Sequence, residues 1–296
     1  MAVLALTAAA LIASPIADWS YEYTKLTRSS EEWYGSTFYS GPDWTRVGRH
    51  WHHSGEQAAS VRVFTAPRAG TVRVTGRVFK LHTEGGDGVW AAIRTGRTVW
   101  SCVLEAADSR GFEHDLSVDL EQGQRLCFVV GKRATITCDT TGWDPVVTYA
   151  DGRTYRASEG FDSGDPVWSY EMERRLPPPA PAGCDPASGE DLFPGVPPED
   201  RSALQWRAAD GEGGLLAVSR GLGGEPRTGV ALRGLLPGAT YLVTEDGGTG
   251  RACLDGAQLM SAGLTIALAP GQTRVFRYAP TRSGVEAAPP VARPRP

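Results

Sequence analysis

The sequence predicts an all-β protein of two β-sandwich domains, a jelly roll and a smaller antiparallel sandwich, joined by a Pro-rich linker and preceded by a short helix. Three observations carry this. Short segments alternate apolar and polar residues with period two, which puts one face of each in a core and the other in water. Turn signals separate them, and 36 Gly and 21 Pro in 296 residues supply many tight turns. Neither half alternates strands with helices as a (β/α)₈ barrel would.

Residues 1–17 open the chain with an apolar run. From Ala2 to Ile12 it is too short to span a bilayer, which needs ~20 residues. It reads either as the core of a signal peptide, which would place the chain outside the cytoplasm, or as a packed helix of an upstream domain. No Lys or Arg precedes it and no A-x-A site follows, which weighs against the signal.

Residues 18–175 form the predicted first domain. The clearest pattern runs from Val61 to Phe79. Val61 and Val63 alternate with Arg62 and Phe64, and Val72, Val74 and Val78 alternate with Arg73, Thr75 and Arg77. Two antiparallel strands follow from this, turned at Pro67 and Gly70. Further strands are expected at 89–93, 98–104, 114–120 and 125–130, with a last one closing a turn-rich stretch at 139–149. Trp-Ser-Tyr-Glu occurs at Trp19 and again at Trp168, which is either chance or a sign that the two ends of this domain lie side by side, as in a domain inserted into another.

Residues 176–200 form the linker, where clustered Pro favours extended backbone and a semi-rigid spacer. Residues 201–280 repeat the alternation in strands at 215–219, 229–233, 240–244, 264–268 and 274–278. Residues 281–296, rich in Pro, Ala and Arg, read as a disordered tail.

Composition narrows the function. A net charge of −4 without a basic block argues against nucleic acid as a partner, and no segment is long enough to span a membrane. The five cysteines have neither zinc nor redox spacing. There is no nucleophile elbow, zinc-protease helix, P-loop or dinucleotide fingerprint. No feature pairs two carboxylates across a cleft, as glycoside hydrolysis requires.

Eight of the nine Trp precede residue 170. Aromatic faces stack on sugar rings while nearby polar groups bond hydroxyls, although in a sandwich most Trp fill the core. Trp44, Trp51 and Trp143 sit in turn-rich segments and are the candidates for exposure. His52 and His53 follow Trp51 and are candidate ligand contacts with it; as neighbours in a strand they point to opposite faces, while His50 and His52 share one. Asp87, Asp139 and Asp144 are either turn residues, the favoured reading, or oxygen donors to a structural Ca²⁺. No other cofactor is indicated.

Residues 44–149 resemble the galactose-binding-like jelly-roll modules appended to carbohydrate-active enzymes. The resemblance is carried by Ala-Ser-Val-Arg-Val-Phe-Thr-Ala-Pro-Arg-Ala-Gly, Gly-Asp-Gly-Val and Asp-Thr-Thr-Gly-Trp-Asp-Pro-Val-Val-Thr-Tyr. Residues 206–278 resemble the C-terminal β-sandwich of melibiase-type α-galactosidases. The carriers there are Gly-Leu-Leu-Ala-Val-Ser-Arg, Leu-Arg-Gly-Leu-Leu-Pro-Gly-Ala-Thr-Tyr, Asp-Gly-Ala-Gln-Leu-Met-Ser-Ala-Gly-Leu-Thr-Ile and Arg-Val-Phe-Arg-Tyr. The resemblance implies a non-catalytic, carbohydrate-binding portion of a glycoside hydrolase, with a glycan, galactose-containing in one version, as ligand and a catalytic barrel as partner. Its alternative is a purely structural role beside that barrel.

Overall fold

The computed structural model describes residues 20–162, 166–176, 178–193, 196, 201–221, 225–248 and 250–281. The helix expected at 1–17 and nearly all of the expected tail lie outside these residues. The described residues divide into two compact units, one built chiefly on residues 20–176 and one chiefly on residues 178–192 and 202–281. Both are all-β and antiparallel.

The first unit contains β1 (Ser20–Lys25), β2 (Thr27–Trp33), β3 (Ser36–Ser40), β4 (Arg46–Gly48), β5 (Trp51–His53), β6 (Ala59–Thr65), β7 (Gly70–Lys80) and β8 (Val89–Arg94). It continues with β9 (Thr98–Leu104), β10 (Phe112–Leu120), β11 (Arg125–Lys132), β12 (Thr141–Trp143), β13 (Val146–Tyr149), β14 (Thr154–Arg156) and β15 (Trp168–Leu176). One sheet runs β1-β15-β6-β11-β8-β9. The other runs β14-β13-β7-β12-β5-β4-β3-β2, with β10 on the free edge of β7. Their facing sides enclose a core that includes Phe64, Val74, Ile93, Phe128, Trp143 and Trp168. The domain ends are neighbours: β1 pairs with β15, Tyr21 opposite Arg175 and Lys25 opposite Glu171.

The strands at 61–64 and 72–78 are present but do not pair with each other. β6 lies between β15 and β11 in the first sheet, and β7 belongs to the second. Their turn is therefore an arch from one sheet to the other. β7 keeps the expected alternation, with Val72, Val74 and Val78 buried and Arg73 and Arg77 exposed. β6 departs from it, because a central strand can be covered on both faces. Arg62 is wholly buried, not wet. Its guanidinium donates to the carbonyls of Trp143 (3.1 Å), Gly48 (2.6 Å) and Arg49 (3.1 Å), tying β4 and β12 together from inside.

The second unit contains β16 (Glu190–Asp191), β17 (Arg201–Arg207), β18 (Gly214–Arg220), β19 (Arg227–Val230), β20 (Thr240–Glu245), β21 (Arg251–Asp255), α1 (Gly256–Ser261), β22 (Leu264–Ala267) and β23 (Thr273–Pro280). Its main sheet runs β16-β17-β18-β23-β20-β21, and β19 pairs with β22 separately. Asp255 caps α1 by accepting from the Gln258 amide at 2.6 Å. The buried Gln205 side chain bonds both backbone groups of Arg233 at 2.8 Å and the Tyr278 hydroxyl at 2.9 Å. Part of the expected spacer is not a spacer. Asp185 caps a short 3₁₀ turn, and Glu190 and Asp191 pair with β17, so side-chain caps and a ladder outweigh the extended preference of Pro there.

Candidate functional site

The structure separates the candidate residues of the sequence. Trp44 is 56% exposed, whereas Trp51 is 1% and Trp143 0% exposed. The expectation that Trp51 and Trp143 face solvent is thus overturned. Both lie on short strands of the second sheet rather than in loops, and their indole N–H groups are satisfied inside. Trp51 Nε1 donates to Ser36 Oγ at 3.2 Å, and Trp143 Nε1 donates to His114 Nε2 at 2.9 Å. Trp51 also lies flat against Gly48, where any Cβ would collide with its ring.

His52 and His53 do turn to opposite faces, and both are buried. His52 Nδ1 meets Ser60 Oγ at 3.2 Å, and His53 Nδ1 meets the Ser54 carbonyl at 2.8 Å. Burial pushes both imidazoles below their ordinary pKa, His53 to about 4. His50 instead stands beside Asp144, 3.5 Å away.

The three aspartates do not converge on one point. Asp87 accepts from the Ala134 amide at 2.6 Å and from Thr135, so these bonds tie its loop to one 47 residues further along rather than close a local turn. Asp144 accepts from the Ser158 amide and hydroxyl, both at 2.9 Å. Asp139 is buried beside Lys80. Among the described residues no group of three or more His, Cys, Asp or Glu is placed to hold a metal ion.

Trp44 belongs to an aromatic platform. Asp43 (φ 58°) and Trp44 (φ 68°) are both left-handed, as is Tyr34 (φ 48°), conformations that cost energy for residues other than Gly. The Arg46 guanidinium lies 4.1 Å from the Trp44 ring and 4.9 Å from Trp33. Tyr34 packs on Trp33 and bonds His82 through its hydroxyl at 2.8 Å.

A more concave feature lies on the outer face of the first sheet. Alternation along β15 places Glu171 and Glu173 on that face, and their register partners on β1 are Lys25 and Tyr23. On the same side Val61, Val63, Ala92, Cys127 and Val129 form an apolar floor. A groove of about 530 Å³ opens there between Tyr21, Tyr23, Arg94, Gln124 and Arg125, with Cys127 at its base. Arg94 stacks on Tyr21 and Arg125 on Tyr23, each 4.5 Å from the ring centroid. Behind them Arg94 pairs with Glu173, and Arg125 with Glu171 at 2.5 Å. The Tyr23 hydroxyl donates to Glu173 at 2.7 Å. Burial, reinforced by that carboxylate, pushes the Tyr23 phenol well above its usual range, so it stays a donor.

Neither a protein-family model nor a curated protein sequence matches this chain. The reading therefore rests on the site itself.

The groove offers ring faces, guanidinium and amide groups and charges balanced in pairs, over an apolar base. That is the composition of a small-ligand site, and the volume lies in the usual range. The sequence does contain its signal. Tyr21 and Tyr23, and Glu171 and Glu173, are two residues apart, the spacing that places each pair on one face of a strand. Both pairs overlap the repeated Trp-Ser-Tyr-Glu.

Proposed function

We propose that the first unit is a non-catalytic glycan-binding module and that its ligand occupies the groove of Tyr21, Tyr23, Arg94 and Arg125. One observation carries this reading: two tyrosine rings, each backed by a guanidinium, border one concave surface. Such rings present flat apolar faces to the C–H face of a sugar, while Gln124 and the guanidinium N–H groups address its hydroxyls. Because Glu171 and Glu173 balance Arg125 and Arg94, the groove suits an uncharged glycan better than an acidic one. The second unit accompanies this module as an accessory sandwich of the glycoside-hydrolase type.

The test is retardation of the purified chain in gels containing neutral polysaccharides, galactose-containing ones included. A Tyr21→Ala, Tyr23→Ala double variant is run beside it. We expect binding by the parent chain and at least a tenfold loss in the variant, ~1.4 kcal/mol. Equal retardation of the two chains would remove the groove from the account. Absence of retardation on every glycan, from a chain shown to be folded, would remove the glycan and favour a purely structural role.

A further inference from the structure

The buried pair Lys80 and Asp139 has no part in the groove. Lys80 ends β7 opposite Thr141 of β12, and Asp139 lies two residues before that partner. Both side chains are completely buried. Two isolated charges in such a place lose several kcal/mol of hydration each and need close hydrogen bonding in return. They do not have it with each other. Lys80 Nζ is 3.9 Å from Asp139 Oδ1, beyond hydrogen-bond distance. Nζ donates instead to the Cys138 carbonyl at 2.6 Å. Asp139 Oδ2 accepts from Ser54 Oγ at 2.9 Å, and Oδ1 has no hydrogen-bond partner.

Burial disfavours both charged forms. It lowers the Lys80 ammonium and raises the Asp139 carboxyl to about 7, so each group is driven toward neutrality. The uncharged forms that burial favours, an amine with its nitrogen 3.9 Å from a carboxyl oxygen and both side chains sealed from solvent, are the reactant pair of amide formation. Fixed proximity supplies the effective concentration.

We propose that Lys80 and Asp139 condense into an intramolecular amide that cross-links β7 to the segment entering β12. The Nζ lone pair attacks Asp139 Cγ, and an N–Cγ bond forms. The Cγ–Oδ1 bond breaks, and Oδ1 leaves as water with its own proton and one from Nζ. Oδ2 becomes the amide oxygen. No oxidant or other reactant is consumed. The product's partners are already in place: the amide N–H faces the Cys138 carbonyl, and the amide oxygen keeps the Ser54 hydroxyl. Two poorly compensated charges become one neutral, bonded group.

The experiment is intact-mass measurement of the purified full chain under denaturing conditions, followed by tryptic peptide mapping. We expect a mass one water below that of the sequence. We also expect a branched peptide in which residues 78–94, uncleaved at Lys80, are joined to residues 134–153. Lys80→Met and Asp139→Ala should each lack the water loss. Full mass in the parent chain, with separate peptides and cleavage after Lys80, would overturn the proposal. So would a water loss that persists in Lys80→Met. The parent chain's peptide map decides the matter even if neither variant folds.

Discussion

Two aromatic regions of the first unit contrast sharply. Around Trp51, His52, His53 and Trp143 the rings and imidazoles are buried and their polar atoms are largely spent on the protein itself. Around Tyr21 and Tyr23 the rings stand half-exposed at a groove, with guanidiniums stacked on them. The first region looks more like a binding site in the sequence, and the second behaves more like one in space. Neighbourhood in the chain does not decide exposure; the place of the strand in its sheet does. β5 and β12 pair with each other inside the second sheet, while β1 is the edge of the first.

The contrast can be broken most forcefully at Trp143. Trp143→Ala should cost about 3–5 kcal/mol in denaturant unfolding, as loss of a large core side chain does. A cost under about 1 kcal/mol would mean that this ring is not part of the core. Next comes Glu173→Ala, which leaves Arg94 buried without its carboxylate. We expect about 3 kcal/mol of destabilisation together with loss of groove binding. Intact stability would show that Arg94 relaxes into water.

The buried imidazoles sharpen the contrast through pH. His53 is held neutral in the fold, with its pKa depressed from 6.5 to about 4. The unfolded chain binds the extra proton first, so this contribution is fully present above pH 6.5 and is lost as pH falls toward about 4. Asp139, where it is still a free acid, runs the other way, because its pKa is raised. The difference in unfolding free energy between the parent chain and His53→Gln cancels that opposing effect. We expect the difference to shrink as the pH falls through this window. A difference independent of pH would place His53 in water.

The smallest effect belongs to the exposed platform. Trp44→Ala should change stability by no more than about 0.5 kcal/mol and leave glycan affinity unchanged. If affinity falls there and not in the groove variants, the stacking surface is the platform held out by the left-handed Asp43 and Trp44.

Much of the fold is legible in the sequence because a half-buried strand writes its period directly. β7 and β10 are examples, as is β20 in the second unit. β6 is less legible: a strand covered on both faces reads as alternation only by accident of residue type, and Arg62 satisfies itself on backbone carbonyls that no local pattern reveals. The groove was hidden for another reason. Its walls come from β1, the end of β8 and the start of β11, backed by carboxylates of β15, and only the pairing of the two domain ends brings Tyr23 against Glu173. The spacing of each pair was visible, and their meeting was not.

The measurement that bears most directly on the central claim is amide chemical-shift mapping of the labelled chain during titration with the glycan that retards it. The account predicts that perturbations concentrate at Tyr21, Tyr23, Thr95, Gly96, Gln124 and Arg125, with Tyr34, Trp44 and Arg46 unmoved. Perturbations centred on those last three residues, with the groove silent, would contradict it.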